Sequence, residues 1–246
     1  MTTLALYNLK GGVGKTAAAI NLAYLAAKEG NRTLLWDLDP QGSSSFYLGV
    51  KTSMKNESKK LFNSEMDLAD AVQPSEYENL SIIPADMSAR HADILLNEMK
   101  QSKRKLSSLL SPLKKEYDIV ILDCPPGISL LHDNIFNAAN WVLMPNIPTT
   151  LSIRSYESVA EYFKENDLDI DKVKCFFSMV DHRKNLHHET MKKFYRDKIF
   201  FKNYIPYLSD VEKMGTNEAP LETFAASSYA AQCYRDLWKE IKKNCL

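Results

Sequence analysis

The stretch Leu9–Thr16, LKGGVGKT, holds three glycines and two lysines in eight residues. It lies between an apolar pentapeptide, TLALY (Thr3–Tyr7), and an Ala-rich segment with Ala19, Leu22, Ala23 and Ala26 at helical spacing. That order predicts a buried strand, a tight loop, and a helix over Lys15–Glu29 that Gly30 closes. A chain that leaves a strand and enters a helix this abruptly is building a βα unit, the element of a parallel sheet. Six of the eight glycines fall in the first 50 residues, so close backbone work is concentrated near the N-terminus.

The rest of the chain repeats the alternation. TLLWDLD (Thr33–Asp39), LSIIPA (Leu80–Ala85), YDIVILDCPPG (Tyr117–Gly127), WVLMP (Trp141–Pro145) and KCFFSMV (Lys174–Val180) read as strands apolar on both faces. Ile153–Lys164, His188–Lys198 and Ser227–Lys243 fit amphipathic helices, and Ala89–Lys115 reads as helical with a break near Gln101–Lys103. Lys51–Glu65 is polar and reads as a loop or surface insertion. The expected fold is α/β: a mostly parallel twisted sheet flanked by helices on both faces, with residues 1–246 as a single domain.

Composition excludes several classes. Lys plus Arg and Asp plus Glu both number 31, so the chain is not strongly basic, although a local patch can hide behind neutrality. Cys124, Cys175, Cys233 and Cys245 form no CxxC pair and no zinc spacing, and read as reduced thiols of a cytosolic protein. His187 and His188 have no metal-spacing partner and read as surface residues. The chain shows no basic leader, and no apolar run approaches the ~20 residues of a membrane span.

Gly11, Gly12 and Gly14 let the backbone bend so that N–H groups converge on an anion, and the following helix N-terminus adds its dipole. The loop residues from Gly11 to Ala17, Val13 included, would surround phosphates. Lys15 would reach the β- and γ-phosphates, and the Thr16 hydroxyl would ligate Mg²⁺. The usual phosphate-loop pattern wants a glycine where Leu9 stands, and it has no place for Lys10. Asp37 and Asp39 follow the second strand; from local sequence they read either as a ligand-binding sheet edge or as a solvated acidic turn. Asp123 ends an apolar run, where a carboxylate can hold Mg²⁺ through water.

K-G-G-x-G-K-T resembles the deviant Walker A motif of the ParA/MinD superfamily of ATPases. The resemblance extends through DLDPQG (Asp37–Gly42), DCPPG (Asp123–Gly127), MVDHRKNL (Met179–Leu186) and the segment from Ile205 to Pro220, and so spans nearly the whole chain. It implies a P-loop ATPase that binds ATP and Mg²⁺ and closes as a homodimer around two nucleotides. In that arrangement Lys10 contacts the phosphates of the partner subunit and Asp39 orients the attacking water. Asp37 and Asp39 join Thr16 and Asp123 around the metal, Asp37 supporting its water shell, and Pro206 abuts the adenine.

The resemblance also implies non-specific DNA binding in the ATP state and a ParB-like or other cargo adaptor that stimulates hydrolysis. Localisation would be cytoplasmic, with the ATP state on the nucleoid. Candidate DNA contacts are Arg183, Lys184, Lys192, Lys193, Arg196, Lys202, Arg235, Lys239, Lys242 and Lys243. Tyr207 stands where family members often carry arginine. The alternative is a MinD-like ATPase that cycles on a membrane through its last helix, where Leu237, Trp238 and Ile241 share a face. A helix packed on the sheet is the plainer expectation for that segment. Metallocluster members of the superfamily pair cysteines at the dimer interface, and no such pair is evident here.

Overall fold

The computed structural model describes residues 1–50, 57–85, 87–98 and 102–246. Seven strands build the sheet: β1 (Thr2–Leu6), β2 (Thr33–Asp37), β3 (Gln73–Pro74), β4 (Leu80–Ile83), β5 (Ile119–Asp123), β6 (Trp141–Asn146) and β7 (Val173–Phe177). They lie in the order β3-β4-β2-β5-β1-β6-β7. Every pairing is parallel except the short antiparallel contact of β3 with β4.

The central strands β1, β2 and β5 are mostly apolar and almost wholly buried because both faces of the sheet are covered. Alternate residues of β1 and β5 turn to opposite sides, as the two-residue period of a strand requires. Ala5, Val120 and Leu122 join one core with Trp36, Phe136 and Phe163, while Leu4, Leu6 and Ile121 join the other with Ile20, Leu22 and Trp238.

Helix α1 (Lys15–Lys28) and the five-residue α2 (Ser43–Tyr47) follow β1 and β2. α3 (Glu57–Phe62), α4 (Ala92–Asn97), α5 (Lys105–Leu110) and α6 (Leu130–Ala138) come next. Then follow α7 (Thr150–Glu165), α8 (Asn185–Phe194), and the short α9 (Ser209–Glu212), α10 (Met214–Asn217) and α11 (Leu221–Phe224). α12 (Tyr229–Cys245) closes the chain, capped by Ser228 Oγ, which accepts from Ala231 N at 3.1 Å. Gly30 holds φ +90° just past α1, as a helix-terminating residue should. α1 is rich in alanine on its buried side, which lets it sit close to the sheet, and its buried Asn21 accepts from Leu221 N at 2.9 Å.

Three expectations change. The segment Lys51–Glu65 lies outside the described residues over 51–56, but its remainder is not a plain loop. It forms α3, whose Leu61 and Phe62 are buried, because two large apolar residues close an otherwise polar run. The region Ala89–Lys115 is broken more finely than a single interruption. Its described residues form α4, α5 and 3₁₀ turns at Met87–His91, Ser102–Arg104 and Pro112–Lys115.

His187 is not on the surface. It is 2% exposed, and its Nδ1 accepts from Asp181 N at 3.0 Å, which serves an amide of the preceding loop. His188 is exposed as expected. α12 packs on the second core with Leu237, Trp238 and Ile241 buried, and Trp238 Nε1 donates to Glu29 Oε2 at 3.0 Å. Among the described residues no helix is long and apolar enough to cross a membrane.

Candidate functional site

The site lies at the C-terminal ends of the parallel strands, where an open α/β sheet leaves a crevice. Gly14 links the loop to α1 at φ +91°, a left-handed conformation that side chains rarely adopt. A Cβ there would also lie 2.8 Å from Ser178 Oγ, so the backbone geometry demands glycine and any side chain would displace the serine hydroxyl. The N–H groups of the first turn of α1, at Lys15, Thr16 and Ala17, have no carbonyl of their own helix to bind and are free for an anion. The start of the loop is anchored by a residue with no motif signal. Asn8 is buried, donates to Pro145 O at 2.9 Å, and accepts from Lys10 N at 2.9 Å.

Lys15 is buried, and its Nζ donates to Lys10 O at 3.0 Å. Burial lowers its pKa, while the nearby Asp123, Cys124 and Asp39 oppose that shift. Beneath it stand two carboxylates. Asp37 and Asp123 are direct partners in the register of β2 and β5.

Asp37 is satisfied: Oδ2 accepts from Ser45 N at 2.9 Å and Ser45 Oγ at 2.7 Å, and Oδ1 accepts from Asp39 N at 3.2 Å. Asp123 is not. Its Oδ2 accepts from Ser44 Oγ at 2.7 Å, but its fully buried Oδ1 has no hydrogen-bond partner. Burial raises the pKa of both groups, and the Asp37 charge adds to the rise at Asp123. For Asp123 the hydroxyls of Ser44 and Thr16 and the charge of Lys15 work the other way.

These features fit a divalent cation. An orphaned buried carboxylate oxygen beside a threonine hydroxyl is what Mg²⁺ needs, since it keeps several waters and takes few protein ligands. Asp123 and Thr16 would hold it. Both oxygens of Asp37 already have donors, which makes Asp37 the support of the pair.

A cavity of about 770 Å³ opens over this floor. Of the residues expected at the site, Gly11, Gly12, Gly14, Lys15, Thr16, Ala17, Asp39 and Pro206 line it. Val13 is buried beneath the loop, and Asp37 and Asp123 lie under the floor. Lys10 points elsewhere: its Nζ donates to Leu151 O at 2.6 Å, at the start of α7. Tyr47, Arg90, Ser178 and Tyr234 also line the cavity and were not anticipated. Nor were Ser44 and Ser45, although the run Ser43–Ser44–Ser45 after DPQG was a visible supply of hydroxyls beside two aspartates.

The cationic candidates separate into two sets. Arg183 pairs with Asp181 at 2.9 Å, Arg235 with Glu222 at 2.7 Å, Lys239 with Asp236 at 3.0 Å, and Lys242 with Glu29 at 2.7 Å. Lys184, Lys192, Lys193, Arg196, Lys202 and Lys243 are absent from the ion pairs among the described residues. Lys192, Lys193, Arg196 and Lys202 line a second cavity of about 530 Å³ with Phe194, Tyr195 and Phe200. Tyr195 is 65% exposed there, with Lys202 Nζ 5.8 Å from its ring centroid.

The buried carboxylates make stability depend on pH in a definite direction. In the folded chain without metal, Asp37 and Asp123 keep protons to a higher pH than in the unfolded chain. The native state therefore binds more protons between roughly pH 4, the unperturbed carboxylate range, and neutrality, and its stability falls as pH rises. Asp123→Asn removes one raised group. Without Mg²⁺, the variant's melting temperature is expected to gain on the wild type's between about pH 5 and 8. A difference that does not change with pH would show that Asp123 ionises alike in both states.

Comparison with known proteins agrees with this geometry. Residues 1–172 match the AAA domain family. The chain is 32% identical to the sporulation initiation inhibitor protein Soj of Bacillus subtilis, over 98% of both chains. It is 29% identical to the chromosome partitioning protein ParA of Myxococcus xanthus, over 98% of this chain and 87% of that one. A plasmid partition protein of Borrelia burgdorferi, solved with AMPPNP, has the same fold at a TM-score of 0.87 and 19% identity, over 98% of both chains. A phosphate loop over an unsatisfied buried aspartate, together with full-length similarity to Soj, places this chain in the AAA domain family as a partition ATPase of the ParA/Soj type.

Proposed function

We propose that the chain is a Mg²⁺-dependent ATPase switch of one domain, which dimerises on ATP and releases its surface on partner-stimulated hydrolysis. The observation that carries this reading is the division of labour between the two lysines. Lys15 is buried under its own loop, whereas Lys10 is turned out of its own cavity toward α7.

Gly11, Gly12, Val13, Gly14 and Ala17 cradle the phosphates with backbone N–H groups, and Lys15 neutralises them. Bound Mg²⁺, held by Thr16 and Asp123, would neutralise charge on the phosphates. Asp39 orients water in the same cavity, and Pro206 packs on the adenine. Lys10 completes the site of a second copy, where an added cation stabilises charge on the transferred phosphoryl group.

The surface that the ATP dimer binds is non-specific DNA, and the cargo is a plasmid, a chromosome or a protein assembly joined through a ParB-like adaptor. The unpaired cations favour DNA. From Lys184 to Lys202 the chain carries six Lys and Arg against two acidic residues, so a net of plus four is offset elsewhere in the sequence. The membrane alternative draws no support from α12, because its apolar face is already used against the sheet.

Lys10→Ala is expected to bind ATP yet fail to dimerise, and its hydrolysis should fall by roughly 10²–10³-fold. Light scattering and phosphate release measure both effects, and normal turnover would remove the in-trans role. Asp39→Ala should bind ATP, dimerise and stall; rapid turnover by it would mean that another group positions the water. Combined replacement of Lys192, Lys193 and Arg196 by alanine should abolish ATP-dependent retention on non-specific duplex at low salt. Wild-type retention should itself fall steeply as salt rises. Absence of ATP-dependent retention by the wild type at low salt would exclude the DNA reading.

A further inference from the structure

Arg90 lines the nucleotide cavity and belongs to no motif. Its side chain is exposed and appears in no hydrogen bond or ion pair among the described residues, although Asp39 lines the same cavity. Arg32, Arg183 and Arg235, by contrast, are all spent on carboxylates.

The segment that carries Arg90 is tied to the site on both sides. Ahead of it, Ala85 N donates to Ser45 Oγ at 3.0 Å, and that hydroxyl donates to Asp37 Oδ2 at 2.7 Å. Behind it, Asp93 Oδ1 accepts from Leu131 N at 2.9 Å, on the helix that follows the Pro125–Pro126 loop. Arg90 thus lies in a stretch fixed at Ala85 to the aspartate turn and at Asp93 to α6.

Sheet order decides which part of the ligand it meets. Along the C-terminal edge, β4 leads to Arg90, β2 to Asp39, β5 to Pro125, β1 to the phosphate loop, and β7 to Ser178 and Pro206. Five strand spacings separate β4 from β7, roughly 24 Å at the usual distance between strands. A nucleotide with its base at Pro206 and its phosphates over Lys15 therefore points its far end toward β2 and β4. Arg90 stands there, and its planar guanidinium suits two oxygens of one phosphate.

We infer that Arg90 contacts the terminal phosphate of the bound nucleotide and makes the site prefer a triphosphate to a diphosphate. The assignment rests on the nucleotide reading of the cavity and adds to it a residue that discriminates between substrate and product.

The test is calorimetric titration of AMPPNP and ADP, each with Mg²⁺, into wild type, Arg90→Ala, Arg90→Lys and Lys15→Ala. Arg90→Ala is expected to weaken AMPPNP roughly tenfold or more while leaving ADP within about twofold. Arg90→Lys should recover part of the loss, because it restores the charge without the fork. Melting temperature should stay at the wild-type value, since the side chain is exposed; if Arg90→Ala does not fold, Arg90→Lys carries the comparison. An unchanged ratio of the two affinities, or an equal loss for both nucleotides, overturns the role of Arg90. In that case weak binding of both by Lys15→Ala leaves the nucleotide reading standing. A wild type that binds neither nucleotide overturns that reading and the assignment with it.

Discussion

Two carboxylates side by side in the middle of a buried sheet are an arrangement that folding alone would avoid. Asp37 and Asp123 face each other across β2 and β5, are at most 2% exposed, and repel when both are charged. Much of the surrounding structure answers that repulsion. Ser45 and the Asp39 amide satisfy Asp37, Ser44 takes one oxygen of Asp123, and Lys15 is drawn below the surface beside them. The parallel sheet is what aligns both strand ends. The short α2 begins with Gly42 in the left-handed region and delivers two hydroxyls to two strands. What remains open is one oxygen of Asp123, where a cation would complete the set.

The sequence shows those parts whose physics is local. Continuous apolar runs announce central strands, and the glycine loop announces a backbone that must turn in little space. Gly14 illustrates the backbone demand, and only the structure reveals Ser178 as the neighbour whose hydroxyl a side chain would displace. Long-range features are hidden. α6 goes unread because its buried His132, Asp133 and Asn134 look polar in sequence. His187 looks like half of a surface pair until the loop amide it serves is placed above it. Arg90 carries no pattern, since its position depends on the order of β4 beside β2, which no spacing encodes. The role proposed for Lys10 comes only from family resemblance; the residues alone say no more than that it is extra.

Neutral net charge conceals a division of the surface. Acidic residues are used as partners for particular arginines and lysines, while the stretch from Lys192 to Lys202 keeps its cations unpaired around an aromatic cavity. Exposed pairs contribute little to stability, so pairing Arg183 with Asp181 is worth less as a fold contact than as a way of removing a positive charge from the surface. The cluster of unpaired cations from Lys192 to Lys202 lies on α8 and the turn after it. These belong to the β7 side of the sheet, far along the edge from Arg90 and Asp39.

Lys10 is placed so that it can leave. Its ammonium rests on the Leu151 carbonyl, an exposed contact whose net worth is small because water can replace it. The carbonyl is not abandoned when the lysine departs, since Ser155 Oγ also donates to it at 3.2 Å. Neither group is therefore stranded without a partner. The loop beneath is held through the Lys10 backbone, whose amide donates to Asn8 and whose carbonyl accepts from Lys15, and neither bond uses the Lys10 side chain. A rigid backbone carrying a loosely tethered cation is suited to meeting a negative charge on a second copy. The Lys10 backbone anchors the loop of its own chain, and in the proposed dimer its side chain would complete the partner's site.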